Sequence, residues 1–339
     1  MILVDALFIN NSGGKILLDY FIDRLEKTEK RIFYLLDERV KSHHPEIKSS
    51  NIVFYLKGSL VSRYDFYSKI SEDFSSVFCF GNLPPSIRFD CKVFTYLHQT
   101  LYLSFPKNLN WKVKLSFKLK RLVWKYFLRN TDYIIVQTHL LAGQLENRNI
   151  IPRDKILILP FFSFSTLADI CQEKTIKEKG SYIYISNAPK YKNHIKLIEA
   201  FCRFYDKKKC GKLSLTVSDD FPDLLKLIGE KKILGYPIFN LGFINQNELI
   251  KIYKRSEYLI YPSLTESFGL GILEAINFKC KVIGANLDYM HEVCVPSLTF
   301  NPYSVDSIYK ALINSNEATL PVSINKVTNK IENIINLLV

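Results

Sequence analysis

The sequence contains no uncharged apolar run approaching the ~20 residues that a helix needs to span a bilayer. Met1 to Asn10 read as a strand interrupted by Asp5, not as a basic segment followed by a long apolar one. Membrane-spanning and secretory readings are therefore set aside, and a cytoplasmic chain is the expectation. No Cys-x-x-Cys pair occurs. The seven cysteines, Cys79, Cys91, Cys171, Cys202, Cys210, Cys280 and Cys294, are scattered and odd in number, which fits reduced thiols and not a disulfide framework or a zinc site. There is no Gly-x-x-x-x-Gly-Lys-Ser/Thr, so a P-loop nucleotidase is excluded. Gly269-Leu270-Gly271 lacks the third glycine of a dinucleotide fingerprint, and His291-Glu292 lacks the second histidine of a zinc protease. Asp-x-Asp is missing as well, since Asp219-Asp220 and Asp223 have the wrong spacing. Neither an internal repeat nor a low-complexity tract is present.

What remains is 339 residues, enough for two domains that each bury a core. Hydrophobic residues at 47% and charged residues at 23% are ordinary for a globular protein. Aromatics are abundant, with 24 Phe and 20 Tyr; aromatic-rich cores are the plain reading, a sugar platform or lipid surface the functional one. The net charge of +13 is concentrated, because residues 101–150 hold nine Lys/Arg against two Asp/Glu. It describes one local surface more than the whole molecule.

The first half alternates apolar runs with helical stretches. Ile2–Ile9 reads as a strand, Asn10-Asn11-Ser12-Gly13-Gly14 as a glycine-bearing turn, and Lys15–Lys27 as an amphipathic helix. Strand candidates follow at Arg31–Leu36, Ile52–Tyr55, Ser76–Cys79, Val93–Leu97, Tyr133–Gln137 and Lys155–Leu159. Residues 161–180 break the pattern. It restarts at Tyr182–Ile185 and continues through Lys212–Val217, Ile238–Leu241, Tyr258–Tyr261, Lys281–Gly284 and Leu298–Phe300. A last amphipathic helix is expected over Val322–Leu338. Strand–helix alternation predicts two mostly parallel α/β halves, with ligands at the carboxyl ends of the strands.

One segment concentrates the chemistry: Tyr261-Pro262-Ser263-Leu264-Thr265-Glu266-Ser267-Phe268-Gly269-Leu270-Gly271-Ile272-Leu273-Glu274-Ala275. A strand ends near Tyr261, Pro262 and Ser263 turn the chain, and a helix starts at about Leu270. Its N-terminus offers unpaired N–H groups and a partial positive charge that suit a phosphate. Glu266 lies on the loop and Glu274 one to two turns inside the helix. This Glu-x7-Glu, set in Pro-Ser-x-x-Glu-Ser-Phe-Gly-Leu-x-x-Leu-Glu-Ala, resembles the signature of the retaining glycosyltransferases of family four, also called glycosyl transferases group 1. The resemblance extends upstream over Leu241-Gly242-Phe243-Ile244, Glu248-Leu249, Tyr253 and Ser256, and over Tyr184–Phe201 with Lys192-Asn193-His194. It covers about 181–305 well and the first half only in outline.

The resemblance implies a GT-B fold, two Rossmann-like domains facing across a cleft. Residues 1–165 would be an acceptor-binding domain and 166–180 a linker. Residues 181–320 would bind the nucleotide-sugar, and 321–339 would form a C-terminal helix returning to the first domain. It implies that Glu274 binds the ribose hydroxyls and that Glu266 contacts the donor sugar. The backbone of Phe268, Gly269 and Leu270 would cradle diphosphate and sugar, Lys192 would neutralise the diphosphate, and Gly242, Phe243 and Ile244 would lie beside the base. In the first domain Gly13 and Gly14 would approach the phosphates and His98 would reach the donor sugar. His98, Glu266 and Lys192 are thus the catalytic candidates. Two departures stand out. The second diphosphate cation usual in the family, about six residues before the lysine, is here Ser186, with Lys190 nearby; and Phe278-Lys279-Cys280-Lys281-Val282 stands where a Gly-x-Pro is usual.

The family implies retention of anomeric configuration and no metal or other cofactor. Departure of a nucleoside diphosphate needs positive charge where its own charge develops, which Lys192 and the helix N-terminus would supply. Front-face attack and stabilisation of an oxocarbenium-like centre by Glu266 both accommodate retention; a covalent nucleophile of the glycosidase kind is the weaker reading. Lys107 to Arg129 holds eight cations and no acid, interleaved with Trp111, Leu115, Phe117, Leu122, Val123, Trp124, Tyr126 and Phe127. A basic amphipathic helix of this kind reads as an element lying on an anionic membrane. The expected partners are therefore a nucleotide-sugar donor and a glycan or lipid-linked acceptor, as in O-antigen, capsule or lipopolysaccharide synthesis at the inner face of the membrane. A transferase of the starch or sucrose type with a soluble acceptor, and an inactive GT-B scaffold, are the alternatives. Nucleic acid is not expected, since no binding module accompanies the charge.

Overall fold

A computed structural model describes residues 1–103, 111–163 and 176–339. The chain divides into two α/β units, one running up to Ser163 and including Thr328–Val339, the other made of the described residues that end at Val327.

The first unit carries β1 (Ile2–Ala6), α1 (Ser12–Leu25), β2 (Ile32–Asp37), β3 (Ile52–Leu56), α2 (Leu60–Lys69), β4 (Ser76–Cys79), β5 (Lys92–Tyr96), α3 (Trp111–Phe127), β6 (Tyr133–Val136), α4 (His139–Glu146) and β7 (Ile156–Ile158). All seven strands are parallel, in the order β3-β2-β1-β4-β5-β6-β7. Every residue of β1, β2 and β4 is buried, as expected where helices cover both faces of a parallel sheet. On one face Val4, Tyr34 and Phe78 pack with Leu17, Phe21 and Ile22 of α1; on the other Leu3, Phe33 and Val77 pack with Tyr67 of α2. β1 stops at Ala6, short of the expected Ile9. The Asp5 carboxylate accepts from the Leu7 amide, and Phe8 adopts a left-handed φ of 80°.

The second unit carries β8 (Glu178–Tyr184), α5 (His194–Lys208), β9 (Lys212–Leu215), α6 (Pro222–Ile233), β10 (Ile238–Asn240), α7 (Gln246–Arg255), β11 (Ser256–Tyr261), α8 (Leu270–Asn277), β12 (Lys281–Ala285), α9 (Asp288–Val293), β13 (Cys294–Val295), β14 (Leu298–Phe300), α10 (Val305–Glu317) and β15 (Ile324–Asn325). Its six-stranded sheet is parallel, in the order β10-β9-β8-β11-β12-β14, and β13 pairs antiparallel with β15.

In each sheet the strand order reverses once, between β1 and β4 and between β8 and β11. Loops diverge at such a switch point and leave a crevice at the carboxyl ends of the strands. Lys192 and Glu266 in the second unit, and Gly14 and His98 in the first, come together there.

The end of the chain departs from expectation. The last helix, α11 (Ile331–Leu338), is half the length expected for Val322–Leu338. Val322, Ile324, Val327 and Thr328 are β-branched and poor helix formers, and the Ser323 hydroxyl, accepting from the Val282 and Ser297 amides, holds this stretch extended. Residues 321–327 thus go with the second unit. In α11, Ile331, Ile334, Ile335 and Leu338 are buried in the core of the first unit, each burial stabilising by about 1.5–3 kcal/mol. Of the expected linker, 166–175 lies outside the described residues, and 178–180 are not linker but the start of β8.

Candidate functional site

In the second unit the switch point brings together Lys192 and Glu266, which are 74 residues apart in sequence. Lys192 closes the short turn after β8; Glu266 lies on the loop between β11 and α8. Lys192 Nζ donates to Glu266 Oε1 at 2.6 Å, with the two side chains only 13% and 10% exposed. Both loops are fixed by the protein. The Tyr184 hydroxyl donates to the Lys192 carbonyl at 3.0 Å, and the Leu264 amide to the Tyr191 carbonyl at 2.9 Å. Asn193, left-handed at φ 64°, donates to the carbonyls of Pro262 and Pro302, and the Tyr289 hydroxyl donates to that of Ser263.

Gly269, at φ 88°, starts α8 in a conformation that L side chains rarely adopt, so the glycine lets the loop turn directly into the helix. Phe268 is buried, so its side chain belongs to the core and only its backbone faces the loop. Leu270 opens the helix, where the first-turn N–H groups lack intrahelical acceptors. Glu274, one turn in, is 9% exposed and accepts from the Tyr253 hydroxyl at 3.0 Å. Burial pushes its carboxyl up to about 6, with the Tyr253 hydrogen bond acting in the opposite direction.

The remaining second-unit candidates sit farther off. Gly242, Phe243 and Ile244 follow β10, three places from β11 across the sheet and therefore about 14 Å along it. Gly242 is left-handed at φ 63°, and Phe243 is 93% exposed. Lys190 is exposed and Ser186 half-buried, its hydroxyl donating to the Asn187 carbonyl. His194, the first residue of α5, is buried with neither ring nitrogen hydrogen-bonded, and burial together with Lys192 pushes it down to about 3.

In the first unit, β1, β4 and β5 are neighbours, and their ends bring Gly14 and His98 together. A Cβ on Gly14 would lie 3.3 Å from His98 Cε1; one on Gly13 would meet nothing within 4 Å. His98 is half-buried and stacks on Tyr96. Burial pushes it down to about 4, while a backbone hydrogen bond at Phe80 favours protonation. Its amide and ring both bond Asn82.

The expected basic helix is α3; residues 104–110, including Lys107, lie outside the described residues. Trp124 is its buried anchor, whereas Trp111, Leu115, Leu119, Leu122 and Tyr126 are 50–68% exposed. Among the described residues no three His, Cys, Asp or Glu side chains group as metal ligands, and no helix is long and apolar enough to cross a membrane.

Sequence reasoning missed Asn82 and the roles of Tyr253 and Asn193. The polar residue following the end of β4 was a signal for the first, and the Lys-Asn-His run for the last.

Residues 168–314 match the family described as Glycosyl transferases group 1. An uncharacterized glycosyltransferase of Methanocaldococcus jannaschii is 26% identical over 212 residues, 58% of this chain and 50% of that protein. The serotype-specific mannosyltransferase WbdA of Escherichia coli is 33% identical over 72 residues, 21% of this chain and 9% of that one. The chain thus spans about half the length of the archaeal relative and less of the bacterial one. Among solved structures, sucrose-phosphate synthase from Thermosynechococcus elongatus superimposes with a TM-score of 0.69 at 14% identity, covering 92% of this chain and 88% of that one. At that identity the likeness shows the fold, which is GT-B. In the sequence of its second unit and in its fold, the chain resembles the GT-B glycosyltransferases of group 1.

Proposed function

We propose that the chain is a retaining, metal-independent glycosyltransferase that moves a sugar from a nucleoside-diphosphate sugar to a glycan or lipid-linked glycan of a surface polysaccharide. The observation that carries this reading is the Lys192–Glu266 pair at the N-terminus of α8, with Glu274 buried one turn inside the same helix. Glu274 accepts from the ribose hydroxyls. The N–H groups at the start of α8 and Lys192 bind the diphosphate and stabilise the charge that develops as it leaves. Glu266 faces the sugar and favours positive charge at its anomeric carbon. The bond from that carbon to the phosphate oxygen breaks as the bond to the acceptor oxygen forms, and the acceptor proton passes to the departing phosphate oxygen. In the first unit Gly13, Gly14 and His98 are the proposed donor contacts, and in the second Gly242, Phe243 and Ile244 lie beside the base.

α3 supports a lipid-linked acceptor and a peripheral location at the inner face of the cell membrane. At 100° per residue Trp111, Leu115, Leu119, Leu122 and Tyr126 fall within about 80° of arc, with the less exposed Val113 on the opposite side. Lys118 and Lys125 flank that stripe on one side and Lys112 on the other, all exposed. A narrow apolar stripe bordered by cations fits the surface of an anionic bilayer, where lipid-linked acceptors reside. The similarity of part of the chain to a mannosyltransferase named serotype-specific supports a polysaccharide product.

The test supplies a panel of nucleotide-sugars and lipid-linked acceptors, detects released nucleoside diphosphate, and reads the new anomeric configuration by NMR. Transfer with retention supports the proposal; inversion, or no transfer with any pair, opposes it.

A further inference from the structure

Asn82 lies in a turn that is fastened throughout its backbone. It follows β4 with a left-handed φ of 66°, a conformation that asparagine tolerates better than most residues. Gly81 before it passes so close to the chain after β1 that a Cβ would lie 2.5 Å from the Leu7 carbonyl oxygen. The buried Arg63 guanidinium, paired with Asp5, donates to the carbonyls of Leu83 and Pro84 at 2.9 and 2.8 Å. Asn130 donates to the Pro85 carbonyl at 2.9 Å. The indole N–H of Trp124 donates to the carbonyl of Asn82 itself at 3.1 Å.

The side chain of Asn82 is spent on one neighbour. The backbone N–H of His98 donates to Asn82 Oδ1 at 2.7 Å. A backbone N–H can only donate, so the atom it meets is the amide oxygen, and the orientation of the amide follows. Asn82 Nδ2 is then the atom 3.0 Å from His98 Nε2, and an amide nitrogen can only donate. Nε2 is therefore the unprotonated nitrogen. The hydrogen bond at the Phe80 backbone, of the kind that favours a ring proton, fits the proton residing on Nδ1.

We infer that Asn82 is a positioning residue for His98, holding its imidazole neutral, protonated on Nδ1 and fixed in orientation toward Gly14. The inference rests on the reading of His98 as a donor-sugar contact. In this arrangement His98 is not a proton donor to the leaving group. A sugar hydroxyl arriving at this corner would meet the second N–H of the Asn82 amide, because the lone pair of Nε2 already accepts from that amide.

The experiment labels histidine with 15N and records the imidazole resonances of the full chain at pH 7, assigning His98 from the signal lost in His98→Gln. The expected spectrum shows a neutral ring protonated on Nδ1. Asn82→Asp keeps the oxygen that accepts from the His98 amide but sets a carboxylate against Nε2, so the ring should take a proton there. Asn82→Gly keeps the left-handed turn accessible and removes both bonds, so the ring should populate both tautomers. In each variant kcat should fall about 10–100-fold, the scale of a misplaced contact, while KM for the nucleotide-sugar changes less than about 3-fold. A wild-type ring protonated on Nε2, or an Asn82→Asp variant with unchanged resonances and kcat, overturns the inference. Should Asn82→Asp fail to fold, the wild-type and Asn82→Gly spectra still decide it. If wild-type protein transfers no sugar at all, the transferase reading fails, and the spectra judge the clamp separately.

Discussion

Lys192 donates to Glu266 across 2.6 Å, so ammonium and carboxylate neutralise each other. On the proposed reading, a diphosphate at the start of α8 would compete with this carboxylate for the same ammonium group. The pairing satisfies a partly buried cation. Removing either side chain should lower turnover, but the two losses should act in opposite directions on diphosphate binding.

Glu266→Gln frees Lys192. Calorimetry should find nucleoside diphosphate bound at least as tightly as by the wild type, while transfer falls about 100-fold or more. Lys192→Met should lower transfer by about 100–1,000-fold, the usual cost of one charge-stabilising donor, and should weaken diphosphate binding more than nucleoside binding. Tenfold weaker diphosphate binding by Glu266→Gln would refute the competition.

Glu274 yields a pH prediction with a definite sign. Its carboxyl is raised to about 6 from an ordinary 4.5, so the folded protein takes up this proton more readily than the unfolded chain. Stability from this group is thus gained as pH falls through 6 and forfeited above it, by an amount on the order of 2 kcal/mol. Glu274→Gln should raise the melting temperature at pH 8, and the gain should vanish near pH 4.5. The same substitution should weaken nucleotide binding, and wild-type affinity should itself decline below pH 6, where the carboxylate that accepts ribose hydroxyls becomes protonated. Titrations of melting temperature and of Kd from pH 5 to 8 check both signs.

The two faces of α3 should respond differently. Leu119→Glu with Leu122→Glu should abolish co-sedimentation with anionic vesicles and leave melting within about 0.5 kcal/mol of stability per site, because both positions are exposed. Trp124→Ala should instead destabilise by about 3–5 kcal/mol, since it empties a core position and leaves the Asn82 carbonyl without its donor. Vesicle binding by the double variant equal to wild type would contradict the membrane assignment.

The Phe243 side chain offers a sharper test of base recognition than of folding. At 93% exposure it contributes little to packing, so Phe243→Ala should leave melting unchanged. If it lies beside the base, the variant should lose nucleotide affinity while sparing inorganic pyrophosphate. Equal loss for both ligands would place the effect elsewhere.

Much of this was legible in the sequence where chemistry and secondary structure coincide locally. From Tyr261 to Ala275 the strand end, the turn and the helix start stand in one run, and α8 begins at Leu270 as the pattern predicts. The two α/β halves were equally plain from alternation. Relationships across strands were not. Asn82 and His98 lie 16 residues apart and meet because β4 and β5 are adjacent in parallel register. Tyr253 and Glu274 meet because α7 packs beside α8. In α3, periodicity placed Leu115, Leu122 and Tyr126 on one face, but the outward direction of that face depends on Trp124 being drawn into the core by Asn82. The helix expected over Val322–Leu338 is overlong at its start, where Val322, Ile324 and Val327 stand. They are β-branched, and Ile324 instead pairs in β15.

The proposed nucleoside-diphosphate site on Lys192, Glu266 and the start of α8 works without metal. A thermal-shift panel of UDP, GDP, ADP, CMP and dTDP, each with and without EDTA, tests it most directly. A bound nucleotide at about 100 times its dissociation constant adds roughly 2.7 kcal/mol of stability. The account predicts that one diphosphate raises the melting temperature equally in both conditions and that Glu274→Ala abolishes the rise. No stabilisation by any nucleotide, or stabilisation that EDTA removes, would contradict it.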